Sequence, residues 1–223
     1  MTTTPSKDSF IPAAGFHRLT RFYDPAVALL MRDRVWKGLL IGQVSPTAGE
    51  RILDMGCGTG TLTLMLHQAC PECDLLGFDA DANVLAIARA KAAAAKADVE
   101  FWQGRADDPT NVPMLRFGSF DKIVSSLLFH HLSSEQKRRA FSHCLRLLRP
   151  GGELHVAGWG RPANALLRLP FYLIQVLDGF ANTTENVRGL LPKLMRDAGF
   201  SDVAETRRVA TALGSLSFYR GLK

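Results

Sequence analysis

Apolar positions from residue 51 onward alternate between two spacings, and this alternation predicts the fold. Short runs that are apolar on both faces predict buried strands at 51–55, 74–79, 99–104, 120–127 and 153–160. Between these runs, apolar residues recur at helical spacing, as at Leu62, Met65, Leu66 and Ala69. Strands separated by helices predict a parallel sheet with helices on both faces.

The pattern changes after Gly160. Residues 161–185 begin with an apolar stretch interrupted by prolines, which we interpret either as the roof of an apolar pocket or as a helix packed on the sheet edge. A helical stripe then predicts one helix from Asn186 to Ala198, and two more strands complete the chain. Neither a repeat nor a linker is visible. We therefore expect a flexible N-terminus at 1–15 and a single domain at 16–223.

Composition and charge narrow the class only a little. The chain has 223 residues, of which 22% are charged, and a formal net charge of +6. We expect no transmembrane helix, no secretory signal and a cytoplasmic location. The basic run at 137–139 is interpreted as the solvent-exposed face of a helix. The lone C-x-x-C of Cys70 and Cys73 is interpreted as a pair of ordinary reduced thiols, and no metal is expected.

The first predicted strand runs into three alternating glycines, Gly56, Gly58 and Gly60, preceded by Asp54. Glycines after a strand let the backbone approach a ligand, and the following helix offers free N–H groups. Asp79 ends the second strand, where an acid commonly binds ribose hydroxyls. A dinucleotide fingerprint requires a further glycine at the position of Thr61. The spacing therefore favours a ligand without a pyrophosphate, and an NAD-type oxidoreductase is the alternative.

Several stretches carry a family resemblance. DMGCGTG at 54–60 resembles motif I of the class I S-adenosylmethionine-dependent methyltransferases, and GFDAD at 77–81 resembles their acidic ribose loop. The text from 120–132 and 145–160 is similar to the branch that includes the ubiquinone and menaquinone biosynthesis methyltransferases. The resemblance implies a three-layer α/β sandwich, with N-terminal helices and a helical lid after strand 5. Its seven-stranded, mostly parallel sheet would have the order 3-2-1-4-5-7-6, with the last strand antiparallel.

The resemblance also implies S-adenosylmethionine as the cofactor and a set of cofactor-binding positions. These are Tyr23, Asp54, Gly56, Cys57, Gly58, Gly60, Asp79, Ala80, Arg105, Ala106, Asp107, Ser126 and Leu127. Many relatives have an aspartate where this chain has Arg105. The contact to the adenine amino group is therefore left to Asp107 or to a backbone carbonyl.

The implied reaction is an in-line displacement in which the protein supplies position and a dry site. His130 and His131 are candidates for a general base, with the alternative that they hold the loop by hydrogen bonds. Trp159 and Tyr172 are candidates for the acceptor side, or else core residues.

Motifs for methylating nucleic-acid bases are missing from the sequence, so we expect a small apolar or aromatic acceptor and no nucleic acid. A catalytically silent S-adenosylmethionine-binding protein is a further alternative. The oligomeric state is left open.

Overall fold

The computed structural model describes residues 32–161, 180–212 and 214–223. The strands are β1 (Arg51–Met55), β2 (Asp74–Asp79), β3 (Glu100–Gln103), β4 (Phe120–Ser126), β5 (Leu148–Trp159), β6 (Ser201–Thr211) and β7 (Gly214–Leu222). The helices are α1 (Asp33–Val44), α2 (Thr61–Ala69), α3 (Ala82–Ala95), α4 (Ser134–Leu147), α5 (Phe180–Val187) and α6 (Leu191–Asp197). The predicted flexible N-terminus and most of the predicted lid lie outside these residues. Among the helices described, none is both long and apolar enough to cross a bilayer.

All seven strands form one sheet in the order β3-β2-β1-β4-β5-β7-β6. The pairs from β3 to β5 are parallel, and β7 is antiparallel to both of its neighbours. The predicted fold class and strand order are therefore confirmed. Because β1, β2 and β4 are parallel, the loops that follow them meet at one edge of the sheet, where α/β proteins bind ligands.

The core lies on both faces of the sheet. On one face Ile123 and Val156 pack beneath α4 and α6, and on the other Val124 and Ala157 pack beneath α1 and α2. Adjacent strand residues are thus buried on opposite faces, which explains why the strands appear as unbroken apolar runs in the sequence.

A short 3-10 turn at Phe129–His131 connects β4 to α4. Ser133 and Gln136 form a capping box at the start of α4, each side chain bonding the other's backbone N–H. The ring of Phe129 stacks on Phe141 of α4 with centroids 4.2 Å apart. These contacts fix the position of the turn that carries the two candidate histidines.

Two predictions about the helices are wrong. The single helix predicted for 186–198 is divided into α5 and α6, since Gly189 has a φ of 69° and Pro192 lies in the first turn of α6. A proline is tolerated there because the N–H that it lacks would have no partner within the helix.

Lys137, predicted to be exposed, is fully buried in α4, and its Nζ lies 3.1 Å from Glu185 Oε2 in α5. It sits at helical spacing from Ala140, Phe141 and Cys144, which are also buried. The position on the helix determines the burial of Lys137, and Glu185 compensates its charge.

Candidate functional site

The three glycines after β1 all have left-handed backbone conformations, with φ of 76°, 53° and 72°. A Cβ on Gly56 would lie 2.9 Å from the Cβ of Leu128, and one on Gly60 would lie 2.9 Å from the Cβ of Ala88. A Cβ on Gly58 would meet nothing within 4 Å. Packing within the protein thus requires Gly56 and Gly60, whereas the backbone at Gly58 is open to a ligand.

Cys57 lies within this loop and faces the protein. Its thiol is buried, and a Cβ built on Gly77 would lie 3.1 Å from its Sγ. Burial raises the pKa of the Cys57 thiol far above its usual value, and the charges of Asp54 and Asp79 act in the same direction. The side chain is therefore a packing residue rather than a nucleophile.

Asp79, at the end of β2, connects two loops. One carboxylate oxygen accepts a hydrogen bond from the Gly58 N–H at 2.9 Å, and the other accepts one from the Asp81 N–H at 3.0 Å. Burial raises the pKa of Asp79, although both hydrogen bonds oppose the rise. The carbonyl of the next residue, Ala80, accepts a hydrogen bond from Gln103 at 3.1 Å.

Asp54 is fully buried near the end of β1, two residues before Gly56. Its Oδ2 accepts a hydrogen bond from the Thr63 hydroxyl at 2.7 Å, but its Oδ1 has no partner among the described residues. Burial raises the pKa of Asp54 to about 6, against the opposing effects of Thr63 and Lys37. A buried carboxylate oxygen without a partner is a place where a positively charged ligand group would be stabilised.

Asp107, after β3, is bound by two arginines. Arg105 donates to both carboxylate oxygens at 3.1 and 3.2 Å, and Arg139 of α4 donates to one of them at 2.9 Å. Burial opposes ionisation of Asp107, but the hydrogen bonds from Arg105 and Arg139 outweigh it and lower the pKa. The neighbouring Ala106 is buried. The two arginines thus hold the Asp107 carboxylate in a fixed orientation.

The segment after β4 is held close to the glycine loop. β4 ends at Ser126, and Leu127 has a φ of 53°, which is uncommon for a residue with a side chain. The Leu127 N–H donates to the carbonyl of Ala157 at 2.8 Å. The next residue, Leu128, contacts Gly56. Leu127 therefore lies between the glycine loop and the histidine turn.

His130 and His131 follow directly, with ring centroids 3.9 Å apart, and the ring centroids of His130 and Trp159 lie 6.4 Å apart in an edge-to-face arrangement. Burial lowers the pKa of His130 well below 6.5 and that of His131 to about 4. Both rings are thus neutral at pH 7. A general base that titrates near the ordinary histidine pKa of about 6.5 does not fit these environments, because a buried imidazole resists protonation.

Two of the predicted site residues, Tyr23 and Tyr172, lie outside the described residues. The other predicted site residues lie at one edge of the sheet. It also adds three residues that the sequence analysis missed: Thr63, Leu128 and Asn186. Asn186 of α5 is fully buried, and a Cβ built on Gly158 would lie 3.9 Å from its Nδ2. A nearby motif could have drawn attention to Thr63 and Leu128, but no sequence signal marks Asn186.

Comparison with known proteins gives a consistent assignment. A model of a methyltransferase domain matches residues 52–152. An uncharacterized methyltransferase of Synechocystis is 31% identical over 78% of this chain and 74% of its own length. The demethylmenaquinone methyltransferase of Thermus thermophilus is 32% identical over 62% of this chain, which spans only 60% of that relative. A methyltransferase structure from Aquifex aeolicus, 17% identical, covers 92% of this chain and 97% of its own with a TM-score of 0.67, which shows a common fold.

The chain belongs to the class I S-adenosylmethionine-dependent methyltransferases. Within that class it lies near the branch of the ubiquinone and menaquinone biosynthesis methyltransferases. The geometry fits the cofactor of this class, which carries a positive sulfonium and an ammonium group: Gly58 offers an open backbone, and Asp54 offers a buried oxygen without a partner. Family membership therefore decides against the dinucleotide alternative.

Two substitutions separate the packing role of Gly60 from the ligand-binding role of Gly58. Gly60→Ala should lower the free energy of unfolding by about 2–4 kcal/mol, because the new methyl group meets Ala88 in a left-handed conformation. Gly58→Ala has room for the methyl group and should cost only about 1–2 kcal/mol. Its affinity for S-adenosylhomocysteine should nevertheless fall at least tenfold. Urea unfolding and calorimetric binding measure both effects, and equal binding losses in two equally stable variants would contradict the distinction.

Asp54 predicts a specific pH dependence of stability. Burial raises its pKa in the folded state from the usual value of 3.8 to about 6, so the folded state binds the proton more tightly than the unfolded state. The free energy of unfolding should then fall by about 3 kcal/mol as the pH rises from about 4 to 6. In Asp54→Asn this fall should be missing, whereas Asp98→Asn, at an exposed position, should behave as the unmodified protein does. A constant stability difference between the protein and Asp54→Asn over this range would refute the assignment.

Proposed function

We propose that the protein transfers the methyl group of S-adenosylmethionine to a ring carbon of a reduced quinone. The observation that carries the proposal is the pairing of a cofactor cradle at β1 and β2 with a buried, neutral turn after β4. The name of the Thermus relative, a demethylmenaquinone methyltransferase, supports a quinone-type acceptor. An aromatic acceptor suits a site with Trp159 against the histidine turn.

We assign the cofactor side residue by residue. The backbone of Gly56, Gly58 and Gly60, with Cys57 behind it, lies along the methionine part, and Asp54 faces the positive groups. Asp79 binds the ribose hydroxyls and shares its carboxylate with the Gly58 N–H. Ala80 and Ala106 lie beside the adenine, while Arg105 and Asp107 hold that loop in place. Ser126 and Leu127 close the pocket from β4.

When bound, S-adenosylmethionine supplies an activated methyl group on a positively charged sulfur. Transfer would join this methyl group to a ring carbon of the acceptor, with S-adenosylhomocysteine as the leaving group, and the proton that the ring carbon loses would pass to solvent. The turn at 129–131 excludes water and orients the acceptor. A histidine whose pKa is about 4 is a weak base for a hydroxyl or ring proton at pH 7. Alignment is therefore the main contribution of the protein.

The acceptor class can be tested with labelled methyl transfer. We expect incorporation into a short-chain demethylmenaquinol kept reduced, and none into the oxidised quinone, because only the hydroxyls of the reduced ring supply electron density to the carbon. Transfer RNA and duplex DNA should receive no label. Comparable transfer to a nucleic acid, or equal transfer to the oxidised ring, would overturn the proposal. Asp79→Ala serves as the control for cofactor dependence, since it should lose most of the thermal stabilisation by S-adenosylhomocysteine.

Substitution of the two histidines distinguishes a role in aligning the acceptor from a role as general base. His130→Gln and His131→Gln should each lower the melting temperature and weaken cofactor binding together, with turnover reduced less than tenfold and no change in the pH profile between 5 and 8. Loss of a general base would instead lower turnover by about a hundredfold or more at unchanged cofactor affinity. Measuring turnover, affinity for S-adenosylhomocysteine and melting temperature on the same samples separates the two roles. A loss of turnover at unchanged cofactor affinity would show that the substituted histidine is a general base.

A further inference from the structure

Asn186 has an unusual environment for an amide side chain. It is fully buried in α5, and within the described parts of the chain neither its Oδ1 nor its Nδ2 has a hydrogen-bond partner. Its Nδ2 lies 3.9 Å from the position that a Cβ on Gly158 would occupy. Gly158 follows Ala157, whose carbonyl binds Leu127. The amide therefore lies at the carboxyl edge of β5, next to the segment that follows β4.

The position of α5 is fixed from two sides. Glu185, the residue before Asn186, pairs with the buried ammonium of Lys137 at 3.1 Å. α5 also packs on the turn that carries His130 and His131 and on β5. The helix is thus anchored between the histidine turn and the sheet, with the amide on its buried side.

A second polar group without a partner faces the same layer. Ser125 of β4 is fully buried, and its Oγ has no hydrogen-bond partner among the described residues. Ser125 lies opposite Val156 in the parallel register, so its side chain shares a sheet face with Val156 and, two residues further along β5, with Gly158. The buried hydroxyl of Ser125 and the buried amide of Asn186 therefore lie on the same side of the sheet.

Buried polar groups without partners are rare in native proteins, because each loses its bonds to water and gains none in return. Neither residue belongs to the glycine loop, since Ser125 is in β4 and Asn186 is in α5. A ligand oxygen within hydrogen-bond distance would satisfy the amide of Asn186, which can donate through Nδ2 and accept through Oδ1.

We propose that Asn186 is an acceptor-binding residue whose amide hydrogen-bonds a ring oxygen of the acceptor. The inference rests on the proposed function and adds a specificity determinant to it. An amide binds either a hydroxyl or its anion, so it holds the oxygen of the ring before and after loss of the proton. An aromatic compound without that oxygen would leave the amide unsatisfied, and the site would discriminate against it.

The test compares the unmodified protein with Asn186→Leu, which keeps the side-chain volume and removes both polar atoms. The dissociation constants of 1-naphthol and 1-methylnaphthalene are measured by calorimetry with S-adenosylhomocysteine present. The unmodified protein should prefer 1-naphthol by about tenfold, and Asn186→Leu should lose that preference. With demethylmenaquinol, the KM of the variant should rise about tenfold with little change in kcat. Gln68→Leu is the same type of change at an exposed position, and it should alter neither the preference for 1-naphthol nor the KM for demethylmenaquinol.

Stability and cofactor binding distinguish this role from a structural one. Asn186→Leu should keep its affinity for S-adenosylhomocysteine and have an equal or higher melting temperature, because an unsatisfied polar group is removed. A lower melting temperature together with weaker cofactor binding would make Asn186 structural and overturn the inference. An unchanged preference in the variant, or none in the unmodified protein, would also overturn it. Absence of methyl transfer by the unmodified protein, with an Asn186-dependent preference for 1-naphthol intact, would overturn the proposed function and leave this binding site in place.

Discussion

The hydrogen bond between the Gly58 N–H and the carboxylate of Asp79 connects the two strands on which the cofactor side is built. It spans the carboxyl ends of β1 and β2 and holds the left-handed glycine in the conformation that exposes its backbone. The same carboxylate oxygens are the groups we assign to the ribose. Cofactor binding therefore adds hydrogen bonds to a carboxylate that is already oriented, and the cost of ordering that side chain is met within the fold.

The alternation of strands and helices and the glycine loop could be predicted because both depend on local patterns, whereas the strand order and the cofactor followed from the family resemblance. Strands buried on two faces produce continuous apolar runs, and the glycine motif reflects backbone conformations that few other residues adopt. Lys137 shows where local patterns fail: its type indicated exposure, whereas its place on the helix determined burial, and Glu185 lies 48 residues away. The division between α5 and α6 was missed because Leu190, Leu191 and Leu194 continue the apolar stripe across it.

The proximity of the residues that we propose for the acceptor side could not be predicted from local patterns, because these residues come from separate elements. His130 lies after β4, Trp159 ends β5 and Asn186 is on α5, and only the tertiary structure shows that they are close to one another. Asp107 is a related case. Its ion pair with Arg139 in α4, 32 residues away, could not be predicted from the sequence around it.

The two halves of the site differ in charge, and this difference has a consequence for turnover. Burial raises the pKa values of Asp54 and Asp79 on the cofactor side, while His130 and His131 on the acceptor side are neutral. A positive charge near Asp54 stabilises its ionised form, since the interaction is strong in a site shielded from water. Methyl transfer would remove the sulfonium charge, so Asp54, in the role that we propose for it, would attract the product less than the substrate. The same electrostatic environment would then favour binding before the reaction and release after it.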